Sequence, residues 1–178
     1  MELQEAIQQR KSVRSYENRH IEREKLEEIL NAWILTPTGK NRQPLFYVIL
    51  QDEKKKDELL EKVGCKNNYY GSDAILFVIA RTEDHLNELN CGAAIEQALL
   101  TATSLGLGSC WIHSARALLN EHQDIVKEIL DLPPFYEIME TVALGYEKGE
   151  TLKKEKSRDG SKIIWYPCHR FWPCWFAL

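Results

Sequence analysis

Ala74-Ile75-Leu76-Phe77-Val78-Ile79-Ala80 is apolar without a break. A short run with no polar alternation reads as a strand buried on both faces. Elements on either side of it can supply the cover. Upstream, Leu26, Ile29, Leu30, Trp33 and Ile34 recur at helical spacing, and Leu3, Ala6 and Ile7 mark a shorter helix. Phe46 to Leu50 reads as a strand, and Asp52 to Lys62 as a charged surface helix. Downstream, Cys91, Ala94, Ile95, Ala98, Leu99, Ala102 and Leu105 line the longest helix. Its small residues suit close packing against another helix or a second subunit, and Gly106 ends it. Leu107 to Ile112 is another strand. Asn120 with Gln123 reads as a capping box opening a helix that holds Ile125, Val126, Ile129 and Leu130, and Leu132-Pro133-Pro134 stops it. Ile138 to Leu144 and Lys162 to Trp165 are the last strand candidates. Helices and strands interleave, which predicts a layered sandwich of mixed α and β. The periodicity by itself leans towards a parallel sheet.

Composition bounds the rest. The 178 residues suit one domain with a substantial core. A net charge of -4 and the lack of a long basic stripe argue against a nucleic-acid partner. No apolar run approaches the roughly 20 residues of a membrane helix. Met1-Glu2-Leu3-Gln4-Glu5 is acidic and amphipathic, unlike a secretory signal. Five cysteines without a framework spacing suggest free thiols in a reducing cytoplasm.

Against this acidic background, Arg10-Lys11-Ser12-Val13-Arg14 stands out, with an echo at Lys156-Ser157-Arg158. Brought together, the two runs form a compact site for a small dianion such as a phosphate monoester. Arginine suits that task because its planar fork bonds phosphate oxygens in pairs. Thr36-Pro37-Thr38-Gly39-Lys40-Asn41-Arg42-Gln43-Pro44 is a loop by its prolines and glycine. Its Thr38, Asn41 and Gln43 offer hydroxyl and amide groups to a polar heterocycle.

These segments together resemble the nitroreductase family of flavin enzymes, from about Leu3 to Trp165. Besides the runs at 10–14, 37–44 and 156–158, the resemblance rests on Asn90-Cys91-Gly92-Ala93-Ala94, Leu105-Gly106-Leu107-Gly108-Ser109-Cys110-Trp111-Ile112 and Val142-Ala143-Leu144-Gly145-Tyr146. The resemblance implies an α+β fold, a three-layer α/β/α sandwich whose mixed sheet is mostly antiparallel. It implies a domain over residues 1–166 followed by an aromatic tail at 167–178. It further implies a homodimer with FMN at the interface. In that family pattern, Arg10, Ser12, Lys156 and Arg158 hold the FMN phosphate, and Lys11 contributes backbone contacts near the ribityl chain. Arg14 places a cation near flavin N1 and O2. Pro37, Thr38, Gly39 and Asn41 reach the flavin of the partner subunit. Trp111, Ile112 and His113 lie along the isoalloxazine face, where a backbone N–H bonds N5. The implied activity moves a hydride from NAD(P)H through flavin N5 to a nitroaromatic or quinone, with ping-pong kinetics. The protein then supplies position and electrostatics while the cofactor supplies the chemistry.

Two stretches depart from the pattern. His113-Ser114 stands where the family often has an acidic residue or glycine; His113 is a candidate proton donor, with a pocket-wall role preferred. The tail carries Cys168, His169 and Cys174, whose spacing fits no standard zinc site, so no metal is expected; packing on a dimer partner is the preferred reading. His20, His85 and His122 sit in polar contexts and are expected to face solvent. Cys65, Cys91 and Cys110 are expected to be buried and without a redox role. Two alternatives stand beside the leading function. One is a flavin sensor or carrier without turnover. The other is a dehalogenating or flavin-fragmenting enzyme, which the short connection from Gly64 to Ser72 disfavours.

Overall fold

The apolar run at 74–80 is the middle of the molecule. In the computed structural model, which describes residues 1–81, 85–132, 136–149, 161 and 163, it forms β2 (Ala74–Arg81), with every residue from Ala74 to Ala80 buried. Before it come α1 (Leu3–Gln9), α2 (Arg23–Ile34), β1 (Leu45–Leu50) and α3 (Glu53–Val63). After it come α4 (Asn87–Ser104), β3 (Gly108–Ile112), α5 (Arg116–Glu121), α6 (Gln123–Leu130) and β4 (Tyr136–Gly145). The strand candidate at 162–165, the echo run at 156–158 and the aromatic tail lie outside the described residues.

Alternation along β2 builds two cores, because successive strand side chains point to opposite faces. Leu76 and Val78 meet Ile29 and Trp33 of α2 and Ala94 and Ala98 of α4. Ile75, Phe77 and Ile79 meet Leu59 and Val63 of α3, Leu119 of α5 and Val126 of α6. Burying each large side chain of this kind contributes roughly 1.5–3 kcal/mol. The three layers follow from one strand being apolar on both faces.

Strand direction corrects the periodicity. The sheet order is β1-β2-β4-β3, and every pairing of these strands is antiparallel. Among the described residues, a parallel component is present only as the bridge between Ser12 and Ser109. A central strand buried on both faces has the same apolar pattern in either direction, so hydropathy could not choose. The mostly antiparallel α+β sandwich implied by the family resemblance is the fold observed.

Local signals were sharper. Asp52 caps α3 by accepting from Lys55 N at 2.9 Å. Gly106, at φ 75°, turns the chain out of α4 while Leu107 N closes on Ala102 O at 2.9 Å. The small residues of α4 face inward and admit α2 closely enough for Trp33 Nε1 to donate to Ala94 O at 2.9 Å. The expected capping box at Asn120 is not formed. Asn120 lies inside α5, and its side chain instead bonds both Ile138 N and Ile138 O. It joins two elements where a local cap was expected, because a backbone partner in β4 satisfies both ends of its amide. His122 is half-buried and bonds Leu118 O, whereas His20 and His85 are exposed as expected.

Candidate functional site

A glycine saddle positions the cationic run. Gly108 and Gly145 face each other across β3 and β4. A Cβ on Gly108 would come within 3.0 Å of the Val13 side chain, and one on Gly145 within 2.8 Å of the Tyr16 ring. The missing side chains let the segment after α1 lie flat against the sheet. Val13 N donates to Ser109 O at 2.9 Å, and Glu17 N to Tyr146 O at 2.8 Å. Tyr16 is buried, and its hydroxyl points at Val13 O (2.8 Å) and Ala143 O (3.2 Å). Burial raises its pKa well above the usual phenol range, so it stays a neutral donor.

Val13 and Tyr16 turn inward as anchors, and the charged neighbours are left outward. Arg10 lies beside Glu96 of α4 at 3.5 Å, and Lys11 beside Glu147 at 2.9 Å. Glu96 is half-exposed, and pairs of this sort are worth little in water. A phosphate could compete for such cations at small cost. Ser12 and Arg14 are exposed on the same strip. The site residues of β3 continue from it: Trp111 is 42% exposed, Ile112 is buried, and His113 is exposed just past the strand end.

The polar loop is held elsewhere on α4. Gly39 N donates to Asn90 Oδ1 at 3.1 Å, six residues before Glu96, or about 9 Å along a helix. Thr38 Oγ1 accepts from Gln43 N and Asn41 Oδ1 from Gln43 Nε2, so the loop is braced from within. Pro37, Asn41 and Gln43 are exposed. The fold thus gathers Arg10, Lys11, Ser12 and Arg14 on the strip leading to Trp111, Ile112 and His113, and mounts Pro37, Thr38, Gly39 and Asn41 on the N-terminal half of α4. Lys156 and Arg158 lie outside the described residues.

One contributor was missed by sequence reasoning. Glu140 is only 7% exposed, between Met139 and Thr141 on β4. It binds Trp111 and His113, and Arg116 lies 3.9 Å away. The available signal was a carboxylate within the mostly apolar stretch from Ile138 to Leu144, since buried acids require partners. The cysteines match expectation: Cys65, Cys91 and Cys110 are free and buried. Burial pushes the Cys65 thiol up to about 11 and the Cys91 thiol up to about 12, and raises Cys110 as well. None is a thiolate nucleophile at neutral pH. Among the described residues no cluster suited to a metal ion is found, and no helix is long and apolar enough to cross a membrane.

Comparison with known proteins converges on one family. The family model described as "Putative TM nitroreductase" matches residues 2–176. A protein of Archaeoglobus fulgidus named "Putative NADH dehydrogenase/NAD(P)H nitroreductase" is 30% identical over 149 residues, covering 81% of this chain and 84% of that protein. An "FMN reductase [NAD(P)H]" of Bacillus subtilis is 23% identical over 177 residues, covering 87% of this chain and 70% of that protein. The crystal structure of a nitroreductase with bound FMN from Bacteroides fragilis matches with a TM-score of 0.83 at 26% identity, over 94% of this chain and all of that one (100%).

Proposed function

We propose, from the premise that this chain belongs to the nitroreductase family, that it is an FMN-dependent oxidoreductase. It takes a hydride from NAD(P)H and passes it to an electron-poor acceptor, a nitroaromatic or a quinone, by ping-pong exchange. The observation that carries this reading is the cationic strip of Arg10, Lys11, Ser12 and Arg14. It is pinned on the Gly108–Gly145 saddle beside the exposed indole of Trp111. Cations beside carboxylates that a phosphate could replace, next to a flat apolar wall, suit a phosphorylated aromatic cofactor.

FMN, when bound, supplies the redox chemistry. The chain supplies its grip and its electrostatics. Arg10 and Ser12, with Lys156 and Arg158, hold the phosphate, and Lys11 contributes main-chain contacts near the ribityl chain. Arg14 sets a positive charge at the N1 and O2 edge, which favours the reduced, more negative ring. Trp111, Ile112 and His113 form the wall along the ring, with a main-chain N–H at N5. Pro37, Thr38, Gly39 and Asn41 serve the site of a second subunit, in a homodimer with FMN at each interface. Exposed Leu3 and Ile7 on α1, and Leu35 after α2, support such an association. The reading takes residues 1–166 as the FMN-binding domain with 167–178 as its tail, in a reducing cytoplasm where Cys65, Cys91 and Cys110 stay free.

The test is an absorbance spectrum of the purified protein, followed by anaerobic titration with NADH and NADPH. A flavin spectrum that bleaches with one nicotinamide and returns on adding a quinone is expected. A bound flavin that neither nicotinamide bleaches would leave the non-turnover carrier. A colourless protein with no affinity for FMN would end the flavin reading.

A further inference from the structure

Glu140 makes two hydrogen bonds with two different oxygens. Trp111 Nε1 donates to Oε2 at 2.7 Å, and His113 Nδ1 lies 2.6 Å from Oε1. A bulge in β4 creates this arrangement. Val78 pairs with Glu140 and Ile79 with Ile138, so Met139 is the extra residue. Met139 and Val78 both belong to the core under α4, which places Glu140 on that side as well. Bulges of this kind re-aim side chains next to functional sites. Arg116 Nη1 lies 3.9 Å from Oε1 and 3.5 Å from Glu88. The acid is buried, while the rings it holds are outward: the His113 side chain is 73% exposed and Trp111 is 42% exposed.

A carboxylate has only acceptors to offer, so the ring nitrogen facing it carries the hydrogen. In the neutral imidazole, that places N–H at Nδ1 of His113 and leaves the Nε2 lone pair on the other side of a ring that is largely exposed. We propose that Glu140 is a positioning residue that makes His113 Nε2 an outward hydrogen-bond acceptor, so that the site selects a ligand bearing an N–H donor, such as the carboxamide of a nicotinamide. The proposal rests on the reading above for the location of the cofactor, and on the contacts of Glu140 for everything else. It explains why a glutamate stands here. Glutamine has one acceptor oxygen and one donor nitrogen, so it cannot accept from both rings. In Glu140→Gln the amide keeps the Trp111 bond through its oxygen and donates to Nδ1, which inverts the tautomer and turns the exposed nitrogen into a donor.

The experiment has two arms on the full-length protein. Nitrogen NMR of histidine-labelled protein, with His113→Phe to assign the signal, reads the ring directly. Hydrogen at Nδ1 is expected in the wild type and a bare Nδ1 in Glu140→Gln; a wild-type ring with bare Nδ1, or a ring unchanged by the substitution, overturns the proposal. The second arm compares KM for NADH with KM for its reduced 3-acetylpyridine analogue, in which a methyl replaces the carboxamide –NH2. A preference for NADH of about fivefold, the scale of one neutral hydrogen bond, should fall to near one in Glu140→Gln and in His113→Phe. A preference untouched by both substitutions overturns the specificity role. Wild-type NMR and His113→Phe remain decisive should Glu140→Gln fold poorly. FMN content is measured in each sample: a wild type without flavin would sink the oxidoreductase reading while leaving the ring-nitrogen result to stand or fall separately.

Discussion

At the scale of single residues, the strip from Arg10 to Arg14 divides its work by side-chain direction. Val13 is 2% exposed and anchors the backbone, while the charged residues on either side of it keep their heads in reach of a ligand. Arg10 and Arg14 are therefore expected to fail differently. Arg10→Ala should raise the dissociation constant of FMN about tenfold or more, since a hydrogen bond to a charged group is worth roughly 1.5–3 kcal/mol. Arg14→Ala should lower the flavin midpoint potential and change FMN affinity little. Fluorescence titration and a redox titration read the two quantities separately, and equal loss of cofactor from both variants would defeat the division. Arginine-to-lysine exchange at position 10 should restore only part of the affinity, because a point charge lacks the paired donors of the fork.

At the scale of elements, the position of the proposed binding strip depends on residues that carry no charge. The pair Gly108 and Gly145 leaves room for Val13 and Tyr16, and so decides where the cations stand. Gly145→Ala should push the Tyr16 ring away at a cost of about 1–3 kcal/mol, the usual range for overpacking. It should also weaken FMN binding although no charge is removed. Urea denaturation and FMN titration check both effects; an unchanged FMN affinity would mean that the strip is positioned by something else. This saddle was legible as a family motif but not as a mechanism. Glycine in a strand reports close approach without naming what approaches. Asn120 shows the opposite case: its sequence context matched a cap, yet a partner in β4 claimed its amide.

At the scale of the whole molecule, Cys65, Cys91 and Cys110 are small buried groups. Because burial pushes Cys65 up to about 11 and Cys91 up to about 12, above the ordinary thiol range, the folded state prefers the protonated thiol. Their contribution to stability is intact below pH about 9 and fades as pH rises through the folded values. Melting temperature should thus hold up to about pH 9 and fall steadily between about pH 9 and 12, as followed by circular dichroism. At pH 8, peptide mapping after brief alkylation should show Cys65, Cys91 and Cys110 unmodified in the native protein. The outward apolar residues of α1 and the end of α2 act at the same scale. Leu3 of α1 is 66% exposed and Leu35, just after α2, 77% exposed, too much for residues that serve only this chain's core. Leu3→Glu with Leu35→Glu should shift the protein from dimer to monomer in sedimentation velocity and release FMN. A wild type that sediments as a monomer while retaining FMN would remove the dimer from the proposal.

The sequence by itself determined the buried central strand, the helical periods, the charged helix that starts near Asp52, the glycine stop at Gly106 and, through the order of its motifs, the family. These are local signals, set by the chemistry of a few neighbouring residues. Tertiary structure alone decided the antiparallel direction of the strands, because a strand apolar on both faces reads the same either way. It also decided that Leu3 and Ile7 face outward, since periodicity defines a stripe without saying what covers it. And it brought Glu140 to Trp111 and His113, residues 29 and 27 positions away in the chain. Only strand register and a bulge can join groups so far apart in sequence, and neither is written in the spacing of any one segment.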